Sequence, residues 1–397
     1  MHRVILCLLV LAALGYESSF GQTPPVTSTC LTNSAIILAP YVQAQSGETV
    51  VVQWQTAQPA YGWVEYGATP ALGQQQAAAA YGLRVANVKE HRVTLAGLQP
   101  GTTYWYRVGF KPIRSFGAYR VDYEPEQYSE TVTFHTLPGP KQALTAVIFN
   151  DLHNQIPTFQ QLCSVLGDKP FDFSLFNGDC LADPEREPQV LASLTAFTHG
   201  VRADSHPTFF LRGNHETRGA FARELPRLLA WPGGQPYFAF SAGAVRFLAL
   251  DCGEDKPDGN REYSGLAAFE PYRREETAWL KQELASPAFR KATWRVLVHH
   301  MPIYASKPNA YSQPCREQWT NLLAKAHIDL ALNAHTHQMA FHPANTIGNP
   351  YPIFVGGGNK VEQATVMVLE ADQHHLRLRM LNSAGREVFP AFEKQKR

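Results

Sequence analysis

The chain has 397 residues, 45% of them hydrophobic and 17% charged. That length exceeds one ordinary domain, and the balance excludes disordered, collagen-like and coiled-coil classes. Lys and Arg number 35 against 34 Asp and Glu, a net charge of +1, so no field of a size to steer DNA, RNA or an acidic membrane surface exists. Fifteen histidines direct attention to metals, because imidazole is the commonest protein ligand for transition ions.

The chain opens Met1-His2-Arg3, runs apolar from Val4 to Leu14, and then reaches Ser19-Phe20-Gly21. The apolar run is shorter than the roughly 20 residues of a membrane span. A basic start, a short apolar stretch and a small-residue exit predict a signal peptide over 1–21, and hence a secreted or periplasmic mature chain without a membrane span. Beyond it lie Cys30, Cys163, Cys180, Cys252 and Cys315 at irregular spacing. An oxidising compartment would allow one disulfide, but this is not a disulfide-built scaffold. No Cys-x-x-Cys pair offers a thiolate zinc site, and the cysteines read as small buried apolar residues.

Residues 22–139 read as an all-β domain. Thr49–Trp54, Gly62–Tyr66, His91–Leu95 and Thr103–Val108 are short β-branched and aromatic runs separated by Gly, Pro and polar turns, the spacing of a sandwich. Pro100-Gly101 is a turn signal before the aromatic strand, and Leu137-Pro-Gly-Pro140 closes the segment. Trp63, Trp105 and Tyr106 suit a carbohydrate platform on paper, but alternating strand aromatics read as core. On Ala39-Pro-Tyr-Val-Gln43, the Trp54 strand and Leu98–Tyr106, the segment resembles a fibronectin type III-like sandwich, in particular the N-terminal domain of purple acid phosphatases. Such a domain implies no activity by itself.

From residue 140 to 397 apolar strands alternate with helices, which predicts an α/β layered domain. Leu144–Phe149 is a continuous apolar run, as a strand buried on both faces requires. Phe159, Leu162, Cys163 and Leu166 form one helical stripe. Further strands are expected at Phe173–Phe176, Thr208–Leu211, Val245–Leu250, Trp294–Val298, Ile328–Leu332 and Ile353–Val355, with a polar helix over Arg274–Leu284. Thr365–Arg379 and the segment at Val388 read as closing β structure.

Metal-binding residue types follow these strands. The motifs are Asn150-Asp151-Leu152-His153, Asn177-Gly178-Asp179, Gly213-Asn214-His215-Glu216, His299-His300-Met301-Pro302 and His335-Thr336-His337. Sites in open α/β sheets form where carboxyl strand ends converge. Two carboxylates, one Asn and four histidines exceed the four ligands of a tetrahedral zinc and suit two ions that share a carboxylate. Each motif alone is weak; all of them in order, each behind an apolar run, are specific.

From Leu144 to Asn359 the sequence resembles the calcineurin-like metallophosphoesterases, whose fold is a β-sandwich flanked by helices. The resemblance implies that Asp151, His153 and His337 hold one metal and Asn214, His300 and His335 the other, with Asp179 bridging and His215 catalytic. It also implies two ions, divalent or of mixed valence, since such ligands accept Mn, Fe or Zn. Three departures stand out. Purple acid phosphatases carry a metal-binding Tyr three residues beyond the bridging Asp, where this chain has Ala182. Ala334 replaces the usual Gly before His-x-His, which would be strained if that position required positive φ. His299 and His300 are adjacent, and strand alternation lets only one face the metals; the spacing to Pro302 favours His300.

The expected reaction is hydrolysis of a phosphate monoester by a metal-bound hydroxide, with His215 assisting the leaving group. Two alternatives share these residues: a phosphodiesterase for nucleotides or lipid head groups, and a non-catalytic binding protein stabilised by metals. The charged loop over 253–272 reads either as a substrate-facing lid or as a solvated surface loop. Gly356-Gly-Gly-Asn359 is either a backbone approach to the site or a plain turn.

Overall fold

The computed structural model describes residues 34–305 and 312–396. The expected signal peptide, Cys7 and Cys30 lie outside the described residues.

The segment described over residues 34–140 has only β strands as regular structure. Its main strands are β1 (Ile36–Ser46), β2 (Thr49–Gly67), β3 (Val88–Ala96), β4 (Thr103–Phe116) and β5 (Val132–His135). Thr49–Trp54 and Gly62–Tyr66, expected as separate strands, belong to one continuous β2. Its first half pairs with β1 and β3, and its second half with β4. Alternation on β3 buries His91, Val93 and Leu95 and exposes the residues between them, as a half-buried strand requires. Trp63 and Tyr106 are buried, as the core reading expects, whereas Trp105 is only half-buried, on the opposite face of β4 from Tyr106. Gly62 matters here: a Cβ on it would lie 2.6 Å from the His91 ring and 2.8 Å from Trp54, which stack at 4.8 Å.

The second half holds two six-stranded sheets face to face. The first runs β8-β7-β6-β15-β16-β17, with β6 (Leu144–Phe149), β7 (Phe173–Asn177), β8 (Thr208–Leu211), β15 (Thr365–Ala371), β16 (His375–Asn382) and β17 (Phe392–Gln395). The second runs β9-β10-β11-β12-β14-β13, with β9 (Phe238–Ala242), β10 (Val245–Leu250), β11 (Trp294–His299), β12 (Leu330–Asn333), β13 (Ala340–His342) and β14 (Ile353–Val355). Each sheet contains a run of parallel strands, β8-β7-β6 in one and β10-β11-β12-β14 in the other. Phe173, Phe209, Phe240 and Phe247 interdigitate between the sheets.

Helices cover the outer faces. On the first sheet lie α1 (Ile156–Leu166) and α2 (Glu187–Gly200), through Phe159, Leu162, Leu194 and Phe197. On the second lie α3 (Phe269–Ala285) and α4 (Gln313–Leu323), through Leu280, Trp319 and Leu323. The stripe expected for α1 is present, with Cys163 at its half-buried edge.

The two halves share a core. Leu38, Tyr41, Ala44 and Leu137 pack into the same cluster as the sandwich residues. Polar contacts fix the docking: Val42 N donates to Ala203 O (2.7 Å), Tyr106 Oη to Asp204 O (2.9 Å), Ala230 N to Gln43 Oε1 (2.8 Å), and Tyr41 Oη to Leu228 O. Each satisfies a carbonyl or side chain that burial would otherwise leave costly.

His91 makes the β domain acid-sensitive. Burial lowers its pKa from 6.5 to about 4, so the native ring stays neutral while the unfolded ring takes a proton below about pH 6.5. The unfolded state then binds more protons, and stability falls as pH drops from about 6.5 towards 4, by up to roughly 3 kcal/mol. Denaturant unfolding at pH 7 and pH 4.5 should show a larger loss in the wild type than in His91→Gln; equal losses would contradict this account.

Candidate metal centre

The expected ligands leave the carboxyl ends of parallel strands from both sheets. Asp151 and His153 follow β6, Asp179 follows β7 and Asn214 follows β8. From the second sheet, His300 follows β11, while His335 and His337 follow β12. Ligand-type residues from both sheets meet at these carboxyl strand ends.

Three overlapping groups form there: Asp151, His153 and His337; His153, Asp179 and His215; and Asp179, His300 and His335. Within each group the potential ligand atoms lie within 4.8 Å of one another. Asn214 Oδ1 joins the last group, 3.0 Å from His335 Nδ1. His153 Nε2 and His337 Nε2 are 3.0 Å apart. All the residues that the sequence singled out are thus brought together.

The adjacent histidines part ways. His300 is fully buried and donates Nδ1–H to Asn177 O (2.9 Å), which leaves Nε2 as its inward atom. His299 turns to the far side, with Nδ1 2.8 Å from Met301 O and 3.0 Å from Asn333 Nδ2.

Backbone geometry aims these side chains at a cost. Asp151, His153, Asp179, His335 and His337 have φ of +48°, +45°, +51°, +72° and +56°. Side-chain-bearing residues rarely enter this region, and each such residue costs about 1 kcal/mol or more. Ala334 is not among the positive-φ residues; its neighbour His335 takes the left-handed turn, so the strain expected of an Ala there does not arise. Gly213 is required for a different reason. A Cβ on it would sit 2.2 Å from Asp179 Oδ1 and 2.6 Å from Asp179 N.

Glu216 organises this turn. Buried beneath it, its carboxylate accepts from the backbone N–H groups of Asp179 (2.8 Å), Leu181 (2.8 Å) and Gly213 (2.7 Å). Burial, and next the Asp179 charge, push its pKa up to about 7. The sequence shows Glu216 only as the last letter of Gly-Asn-His-Glu. Asn150, which the sequence shows only as the residue before Asp151, donates to Asp151 Oδ2 (2.8 Å), and Asp183, which carries no local signal, lies 2.9 Å from His215 Nδ1. Asn150 also donates to Gly357 O (2.7 Å), so the glycine run approaches the site through its backbone.

The electrostatics favour a cation. Burial disfavours the Asp179 carboxylate, but His300, His215 and His153 around it hold its pKa well below the usual range. Burial likewise opposes the His300 imidazolium, yet Asp179 and Asp151 carry its pKa up to about 10. Burial brings His335 down to about 4 and also lowers His153. Two inward atoms remain without a hydrogen-bond partner: Asp151 Oδ1 and His300 Nε2. His300 Nε2 lies 3.0 Å from Asp179 Oδ2, close enough for charge attraction but poorly aligned for a hydrogen bond. A buried carboxylate oxygen such as Asp151 Oδ1 is costly unless something positive meets it; a metal ion would replace the proton that the two carboxylates draw onto His300, and a mixed O/N donor set of this composition fits divalent first-row ions.

Comparison with known proteins agrees with this architecture. Residues 144–339 match the calcineurin-like phosphoesterase family, and residues 38–136 match the purple acid phosphatase N-terminal domain. Purple acid phosphatase 23 of Arabidopsis thaliana is 24% identical over 324 residues, 70% of this chain and 64% of that protein. Purple acid phosphatase 15 of the same plant is 24% identical over 313 residues, 69% of this chain and 54% of its own length. The matches therefore span between about half and two thirds of these relatives. Among solved structures, a purple acid phosphatase from seeds of yellow lupin (Lupinus luteus) superposes with a TM-score of 0.66 at 16% identity, over 89% of this chain and 73% of that one. PhoD superposes at 0.61 and 12% identity, over 92% and 91%. The chain is thus a calcineurin-like phosphoesterase domain joined to a purple acid phosphatase N-terminal domain, in a two-domain architecture like that of the purple acid phosphatases.

Proposed function

We propose that the protein is an exported, metal-dependent phosphoesterase that hydrolyses phosphate monoesters. The observation that carries this reading is the convergence of two carboxylates, an amide and four imidazoles from both sheets on one buried point, with His215 at its margin. In this reading Asp151, His153 and His337 hold one ion, Asn214, His300 and His335 hold the other, and Asp179 bridges. The unpartnered Asp151 Oδ1 and His300 Nε2 support that assignment. The domains run over 22–139 and 140–397, the first a fibronectin type III-like sandwich preceded by a signal peptide.

Two ions bound there would acidify a water and take up charge on phosphoryl oxygens. The chain's own groups do the rest. Asn177 O fixes the His300 tautomer through Nδ1, so that Nε2 faces inward. Asp183 fixes His215 in the same way, its carboxylate 2.9 Å from Nδ1. His215 Nε2 is thereby presented to the departing oxygen, to which it gives a proton as the ester bond breaks. The His215 backbone N–H donates to Asp179 Oδ1 (2.9 Å), which ties the proton donor to the bridging carboxylate. Monoesters are preferred over diesters on the likeness to acid phosphatases among the relatives.

Metal-stripped protein titrated with Mn, Zn or Fe should hydrolyse p-nitrophenyl phosphate faster than bis-p-nitrophenyl phosphate. Asp179→Asn and His215→Ala should each lower turnover about 100-fold or more, with the fold intact by circular dichroism. A wild type that binds metal but cleaves neither ester with any ion would overturn the reading. Because Ala182 stands where purple enzymes carry their metal-binding tyrosine, the iron-loaded protein should lack a phenolate charge-transfer band. Its visible absorption spectrum checks this directly.

A further inference from the structure

The loop from Asp251 to Ala268 is built as a fixed structure that grips the turn after His215. Asp258 accepts from Phe269 N (2.9 Å) and Glu270 N (3.0 Å) at the start of α3, and Asn260 accepts from Glu262 N (3.0 Å). Glu254, which is buried, and Asp255 hold the Arg218 guanidinium. Nε donates to Glu254 Oε1 (2.9 Å), and Nη2 to Glu254 Oε2 (3.0 Å) and Asp255 Oδ1 (3.0 Å). Tyr263 Oη (2.7 Å) and Thr217 Oγ1 (2.9 Å) donate to the same Glu254 carboxylate. Arg218 Nη1 is left to face His215, 3.4 Å from its Nε2.

Because the guanidinium is planar, anchoring Nε and Nη2 also fixes Nη1, which is held against His215. With Nδ1 engaged by Asp183, His215 Nε2 and Arg218 Nη1 border one point at the edge of the site. An oxygen arriving there meets both groups, and a guanidinium prefers an oxygen bearing negative charge. The carboxylates that neutralise Arg218 also prevent it from swinging away, so the donor is in place before the reaction.

We propose that Arg218 is a catalytic residue that binds the departing ester oxygen jointly with His215. The proposal rests on the phosphoesterase reading. As the bond from phosphorus to the ester oxygen breaks, its electron pair stays on that oxygen while a water-derived oxygen bonds phosphorus from the opposite side. The leaving oxygen takes the Nε2 proton of His215, and Arg218, charged throughout, stabilises the negative charge that builds there.

The test compares kcat and KM for phenyl phosphate and p-nitrophenyl phosphate, which differ in how much help their leaving groups need. The proteins are the full-length metal-loaded wild type, Arg218→Gln, Arg218→Lys and Tyr263→Phe. Metal content and circular dichroism confirm that each variant is folded and loaded. Arg218→Gln should lose about 100-fold in kcat on phenyl phosphate but no more than about tenfold on p-nitrophenyl phosphate. Arg218→Lys should recover part of the difference, and Tyr263→Phe should affect both esters by one common factor. An Arg218→Gln loss equal on the two esters, or confined to KM, would overturn the proposal and leave Arg218 as a tie for the loop. A wild type inactive on both esters would overturn the phosphoesterase reading itself, a result distinguishable from an active wild type with a substrate-independent defect.

Discussion

Everything at the site depends on holding Asp151 and Asp179 close together with almost no water around them. Both carboxylates are buried, and both lie within 3.8 Å of the same His300 Nε2. Like charges so placed repel, and burial adds to the cost. The parallel β6–β7 pair fixes where their Cα atoms fall, and left-handed backbone at both residues turns the carboxylates inward. Underneath, Glu216 gathers three backbone N–H groups and locks the Asp179 turn against Gly213. Hydrogen bonds from Asn150 and from the His335 backbone saturate Asp151 Oδ2, while Oδ1 makes no hydrogen bond and faces His337 Nε2 at 3.4 Å and His300 Nε2 at 3.8 Å. An arrangement that concentrates negative charge and strain in this way is a liability for stability alone, and strain of this kind collects where binding or catalysis uses it.

The β domain joins the layered domain through backbone and side chains alike. Its hydrogen bonds reach Glu187 at the start of α2, residues 203–205 after α2, and residues 226–230 between β8 and β9. It also supplies part of the core of the first sheet through Leu38, Tyr41 and Leu137.

Much of this was legible in the sequence because the signals were local. Mainly apolar runs, interrupted only by single residues such as Arg246 and Arg295, marked β6, β7, β8, β10, β11 and β14, and the polar residues just after most of them supplied the site. The choice of His300 followed from strand alternation and the position of Pro302, and the backbone bears out the opposed directions of the two rings. What was not legible involved partners far apart in the chain. Helix α2 begins Glu187-Pro-Gln and has a weak apolar stripe, so nothing in its pattern separates it from loop. The bend that makes one strand of Thr49–Gly67 depends on which neighbours pair along it. Asp183, Asn150 and Arg218 have roles only through contacts that the fold creates. Loop 253–272 left a choice between lid and solvated surface, and its buried Glu254 anchor was invisible among so many charged residues.

The central claim is that these strand ends hold two ions bridged by Asp179. Anomalous diffraction from crystals grown with Mn(II) tests it most directly. The account predicts two peaks about 3.5–4 Å apart, one contacted by Asp151, His153 and His337, the other by Asn214, His300 and His335, with Asp179 between them. A single peak, no peak, or an ion bound through His299 would contradict it.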